Sequence, residues 1–122
     1  MNKWYIENGA GGDVVVPAMY GANDYQPHSI GDDAFGGRTE VRRVTLPETI
    51  TYIGNRAFNR CTGIEVFEMP PTVLHLGKNV FAGWTKNQKI IISRAQVKIF
   101  KKSNKITRGK WNGNTKAKII VR

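Results

Sequence analysis

The chain repeats itself about every 23 residues, and that period limits what it can fold into more than any other feature. Ile30-Gly31 followed by Ala34-Phe35 recurs as Ile53-Gly54 with Ala57-Phe58, and again as Leu76-Gly77 with Val80-Phe81. A second pattern moves in step: Val44-x-Leu46-Pro47, then Phe67-x-Met69-Pro70, then Ile90-x-Ile92-Ser93. When a repeat this short carries one supersecondary unit, the unit cannot bury its apolar face alone and must stack on its neighbours, so the chain winds into a solenoid. Equivalent inward positions then lie one strand spacing apart, about 4.8 Å, and become ladders of like side chains. Val44, Phe67 and Ile90 make one ladder, and Leu46, Met69 and Ile92 make the next. A further pair is Ile30, Ile53 and Leu76 with Phe35, Phe58 and Phe81. Arg43, Thr45, Val66, Glu68, Lys89 and Ile91 alternate with the first two ladders and are expected to point outward. Gly31, Gly54 and Gly77 mark a bend that needs either a positive φ or a close backbone approach.

A period in the range of roughly 20 to 29 residues with strand-like apolar triplets is the signature of a leucine-rich-repeat solenoid. The run Leu46-Pro47-x-x-Ile50-x-x-Ile53-Gly54-x-x-Ala57-Phe58-x-x-Cys61-Thr62-x-Ile64 resembles the repeat of the BspA-like leucine-rich-repeat family of bacterial surface proteins, over roughly residues 14 to 93. The resemblance implies a right-handed solenoid used for adhesion or protein contact, secreted or at the cell surface, with no catalytic residues to carry over. The expected fold is mostly β with short turns and helical corners, about four coils, capped at both ends.

The 122 residues fit one domain. It divides into an N-terminal cap strand over 1–13, repeat coils over 14–93 and a basic C-terminal cap over 94–122. Trp4-Tyr5-Ile6 before Asn8-Gly9 reads as a short edge strand over the first coil. Val16-Pro17 aligns with Leu46-Pro47, yet the stretch from Val16 to Ile30 is twice as long as the one from Leu46 to Ile53, so an insertion is placed near 20–26. Tyr20 and Tyr25 sit in that insertion, which is either a binding loop on the repeat wall or a tolerated one. Past Ile92-Ser93 the Ile-Gly and Ala-Phe pairs are missing, and the solenoid is expected to stop. Ala117-Lys118-Ile119-Ile120-Val121 would close the stack as a last strand, with Trp84 and Trp111 covering its apolar end. No apolar run approaches the ~18 residues of a membrane span, and Met1 to Tyr5 leads into no signal-peptide apolar region.

The net charge of +10 hides an asymmetry. Met1 to Pro70 carries six Lys/Arg against nine Asp/Glu, whereas Pro71 to Arg122 carries thirteen Lys/Arg and no acid. Such a field attracts polyanions: nucleic acid, anionic lipid headgroups, acidic cell-wall polymers or an acidic protein. The other reading is a basic surface that only aids solubility. Lys98, Lys101, Lys102, Lys105, Arg108 and Lys110 are the candidate members of a patch.

Chemistry at a catalytic or metal centre is not expected. Cys61, the one cysteine, allows no internal disulfide, and its repeat position, shared with Arg38 and Trp84, reads as an inert buried corner. His28 and His75 have no Cys, Asp or Glu at metal-ligand spacing. Asp32-Asp33 falls at a variable solvent corner that lacks the pocket an acid–base pair needs. The sequence therefore reads as a non-enzymatic module without cofactors. Its partner sits on the outward wall through Tyr20, Tyr25, Arg43, Thr45, Glu68, Lys89 and Ile91. The alternatives are a polyanion binder acting through the basic half, or a purely structural piece of a larger surface protein.

Overall fold

The computed structural model describes residues 6–7, 12–16, 26–107 and 115–122, with backbone alone for 6–7 and 101–107. It is a leucine-rich-repeat solenoid of about three turns, built from short parallel strands. The first wall contains β1 (Ile6–Glu7), β2 (Asp13–Val15), β4 (Arg43–Thr45), β6 (Val66–Glu68), β8 (Lys89–Ile92) and β9 (Lys118–Val121). The second contains β3 (Ser29–Ile30), β5 (Tyr52–Ile53) and β7 (His75–Leu76), in that order and all parallel. β1 runs antiparallel along β2 at the edge of the first wall.

Strand pairing follows the sequence period. Ser29 pairs with Tyr52 and Tyr52 with His75; Phe67 pairs with Ile90. Val14 pairs with Val44 at an offset longer than the period, because the insertion lies between them. The inward rows are buried: Ile30, Ile53, Phe67 and Ile90 are fully enclosed, while Leu46 and Leu76 are half-buried and pack against the core. Phe58 lies at the centre. Its ring stacks on Phe35 at 5.2 Å and on Phe81 at 6.2 Å, both nearly parallel, and meets Phe67 at 4.9 Å tilted by 54°.

The corners between the walls are held by a second ladder. Alternate amides of one corner donate to carbonyls of the next coil: Asp33, Phe35 and Gly37 to Asn55, Ala57 and Asn59, then Arg56, Phe58 and Arg60 to Lys78, Val80 and Ala82. Short polar side chains extend this ladder, since Asp32 Oδ1 accepts from the Asn55 amide and Asn55 Oδ1 from the Lys78 amide, each at 2.8 Å. Of the two explanations open for the Ile-Gly pairs, close approach is the one that applies at Gly54 and Gly77. A Cβ on Gly54 would overlap Asp32 Oδ1, and one on Gly77 would overlap Asn55 Oδ1. The left-handed conformation falls two residues later, at Asp33, Arg56 and Asn79, and again at Gly37, Arg60 and Gly83. Both sets recur with the period of the repeat.

One element differs from the expected course. Residues 94–107 form a helix, α1 (Arg94–Thr107), in place of another corner. Ser93 Oγ accepts from the Gln96 amide and serves as its N-terminal cap. Val97 and Phe100, three residues apart, share its inward side with Gln96, and Phe100 is 1% exposed. Its neighbour is β7, so the helix stands where the next strand of the second wall would be. β9 then returns to the first wall and pairs in parallel with β8 through Ile90↔Ile119.

Candidate functional site

The outward face of the first wall is a set of rows fixed by strand register. One row runs Val66, Lys89, Lys118, and the next runs Glu68, Ile91, Ile120. Between β2 and β4, Asp13 lies beside Arg43 and Val15 beside Thr45. Arg43, Thr45, Val66, Glu68 and Lys89 are exposed, and Ile91 is half-buried. Two long ion pairs cross the strands, Arg43 to the half-buried Asp13 and Arg122 to the exposed Glu68, each 3.9 Å. Pairs of that kind contribute little to stability.

The wall is not continuous. β4 is an edge strand of the β1-β2-β4 sheet, and β6 is an edge strand of the β6-β8-β9 sheet. Each is bonded on its far side: the Val16 amide donates to the Thr45 carbonyl and the Met69 amide to the Ile91 carbonyl, both at 2.9 Å. Toward each other β4 and β6 remain neighbours, with Cα atoms within 8 Å, but the two strands do not pair through backbone hydrogen bonds. A cleft of about 680 Å³ lies along this break. Arg42, Arg43 and Thr45 of the β4 side and Glu65, Val66 and Glu68 of the β6 side line it, together with Glu48. It therefore combines unpaired strand edges with side chains of both signs. The repeat pattern implies an unbroken ladder from Val44 to Phe67, and it gives Arg42, Glu48 and Glu65 no distinguishing position. Nothing in the repeat pattern marks the break.

Of the other predicted residues, Tyr20, Tyr25, Arg108, Lys110 and Trp111 lie outside the described residues, as do Trp4 and Tyr5. Lys98, Lys101, Lys102 and Lys105 all fall in α1. Trp84 is 2% exposed; its Nε1–H donates to the Phe58 carbonyl at 2.8 Å and its ring meets Phe81 edge-on at 5.1 Å. It belongs to the core and offers no open stacking face. Cys61 is buried, and its thiol donates to the Phe35 carbonyl at 3.0 Å. Both donors reach a carbonyl at the same distance back along the chain, so the shared repeat position of Cys61 and Trp84 is structurally real. Burial pushes the Cys61 thiol up to about 12, far from a reactive thiolate. His28 and His75 are exposed. Asp33 is also exposed and is paired with Arg56 at 2.9 Å, whose guanidinium, through that hydrogen bond, holds the carboxyl below its usual range. Among the described residues no group of three His, Cys, Asp or Glu could hold a metal ion, and no helix is long and apolar enough to cross a membrane.

Register, ladders and corner geometry define a leucine-rich-repeat solenoid. Residues 24–115 match the family model described as "BspA type Leucine rich repeat region (6 copies)", which is more than half of the chain, and the protein belongs to that family. No curated protein and no solved structure matches it. The family is one of repeat modules for protein interaction, and the chain shares that general role.

Proposed function

We propose that this chain is a non-enzymatic binding module that takes an extended segment of a partner protein along the cleft between β4 and β6, in adhesion-type contacts of the kind its family resemblance implies. The observation that carries the reading is the interrupted hydrogen-bond ladder. The interruption opens an outward cleft rather than a slot for a new strand: β4 and β6 keep Cα atoms within 8 Å, whereas a chain paired to both would need about 9.6 Å between them. An extended segment therefore lies over the cleft and is read by the side chains that line it. The flanking Arg42 and Arg43, opposite Glu65 and Glu68, give the groove a sign pattern that favours one orientation of a charged segment.

A peptide-display selection against the whole chain tests this. Peptides that bind are measured against Arg43→Glu with Glu68→Lys, which inverts both sides of the cleft, and against Lys86→Ala on a distant corner. The expected result is a loss of at least tenfold in the double variant and none in the corner variant. Selected peptides that bind both variants as well as the parent would rule out the cleft as the site.

A further inference from the structure

Five Lys/Arg positions in the acid-free half of the chain share one helix face only because residues 94–107 are helical. Arg94, Lys98, Lys101, Lys102 and Lys105 stand at i, i+4, i+7, i+8 and i+11. At about 100° per residue these positions fall within an arc of about 100°. Gln96 and Phe100, each 1% exposed, lie on the opposite side and seat the helix on the coil. Arg94 and Lys98 are exposed, and among the described residues neither takes part in an ion pair. The first turn has no acidic residue, although a carboxylate there would be favoured by the helix dipole. Like charges at i and i+4 repel, and this helix has them at 94/98, 98/102 and 101/105.

From this arrangement we infer that α1 is a docking strip for the sugar–phosphate backbone of a nucleic acid, bound without regard to sequence. The strip rises about 16.5 Å from residue 94 to residue 105, which places about one cation every 4 Å. One strand of a duplex carries a phosphate about every 3.4 Å of axis, so the two linear charge densities nearly match. Phosphates are the target because the strip consists of lysine and arginine alone, with no aromatic on it to stack on bases. A lipid surface fits less well. Helices that lie on bilayers bury an apolar face in the lipid, and α1 uses its apolar face against the protein, with Val97 and Ile99 packed on the core.

The experiment uses the whole 122-residue chain and a 20-base-pair DNA duplex of mixed sequence, with binding followed by fluorescence anisotropy between 50 and 200 mM KCl. With five phosphates neutralised, log K should fall against log salt with a slope of about −4.5, a loss of roughly 500-fold over that range. Lys98→Gln, Lys101→Gln, Lys102→Gln and Lys105→Gln combined should reduce the slope to about −1, and the remaining loss to roughly fourfold. A control removes three cations elsewhere, Lys86→Gln, Lys89→Gln and Lys118→Gln, and should keep most of the slope. Circular dichroism checks that every variant retains the parent's spectrum and melting transition. Three results would overturn the inference. They are no binding at 50 mM salt, an equal change of slope per charge removed in the control, or strip-dependent binding confined to vesicles containing phosphatidylserine.

Discussion

Removing the Phe58 side chain gives the most direct measure of how the stack is held together. Phe58→Ala takes out a ring that is 0% exposed and stands between Phe35 and Phe81 at 5.2 and 6.2 Å, with Phe67 against it at 4.9 Å. Loss of a buried Phe to Ala costs about 3–5 kcal/mol in transfer and cavity terms. Each aromatic pair contributes a further ~0.5–1.5 kcal/mol, so the upper part of that range applies here. The site cannot collapse easily, because the backbone on both sides is fixed by corner ladders: the Phe58 amide donates to Val80 and the Phe35 amide to Ala57. For a chain of this size the loss corresponds to a fall in Tm of roughly 10–20 °C. Urea and thermal unfolding of the variant, with Lys86→Ala as an exposed control expected within about 0.5 kcal/mol of the parent, measure it. A Phe58→Ala loss below about 1.5 kcal/mol, half the low end of the range for buried aromatics, would refute the stacked-ring account of the core.

Three further outcomes follow from other parts of the structure. Cys61 should resist bulky thiol reagents under native conditions and react only on unfolding. Its proton is held to about 12 in the fold against 9.0 for an ordinary thiol, so the fold binds more protons and its stability should decline as pH rises from 9 toward 12. The decline reaches about 4 kcal/mol relative to Cys61→Ala, and parallel pH profiles for the two proteins would contradict it. Gly54→Ala should cost more than Gly37→Ala in urea unfolding. The first drives a methyl onto Asp32, whereas the second meets nothing within 4 Å and carries only the penalty of a φ of 76°, about 1–2 kcal/mol. Gln96→Leu should destabilise by about 2–4 kcal/mol, since it leaves buried carbonyls unpaired, and an unchanged midpoint would show that water or neighbouring groups replace the amide.

Much of the fold can be read from the sequence, because each ladder is a side-chain pattern repeated with fixed spacing. Ile30, Ile53 and Leu76, and the three phenylalanines of the corner, meet in the structure at the same offset at which they recur in the chain. Features that depend on how neighbouring coils meet were not legible. The break between β4 and β6 lies in backbone hydrogen bonding, and Val44 and Phe67 look the same in sequence whether or not their strands bond. The helix was missed for a different reason. The change from Ile-Gly and Ala-Phe to Ile99-Phe100 and Ser103-Asn104 marks the end of the repeat, while only Val97 and Phe100, three residues apart, carry a helical signal, too short a run to define a helix by itself. The cations of this segment are each visible in the sequence, but their common face depends on that helix.

The last turn also shows how a repeating chain stops. Gln88 and Gln96 are buried, 3% and 1% exposed, and flank β8. Gln88 Nε2 donates to the carbonyls of Cys61 and Ile64, and Gln96 Nε2 to those of Pro70 and Val73. Each Oε1 accepts from an amide one turn upstream, that of Thr85 and that of Ser93. The two glutamines thus make the same clamp on both sides of one strand. In the preceding coil part of this task falls to Thr72, whose hydroxyl donates to the Ile50 carbonyl at 2.7 Å. Ala95 stands at the equivalent position one period on, and has no hydroxyl. A buried carbonyl without a donor costs more than an average hydrogen bond contributes, so the coil that loses its threonine needs another donor. Gln96 supplies it from the first turn of α1, and by doing so ties the helix to the coil below it. The polar residues that look like decay of the repeat are therefore what allows the chain to leave it without exposing the backbone of the coil beneath.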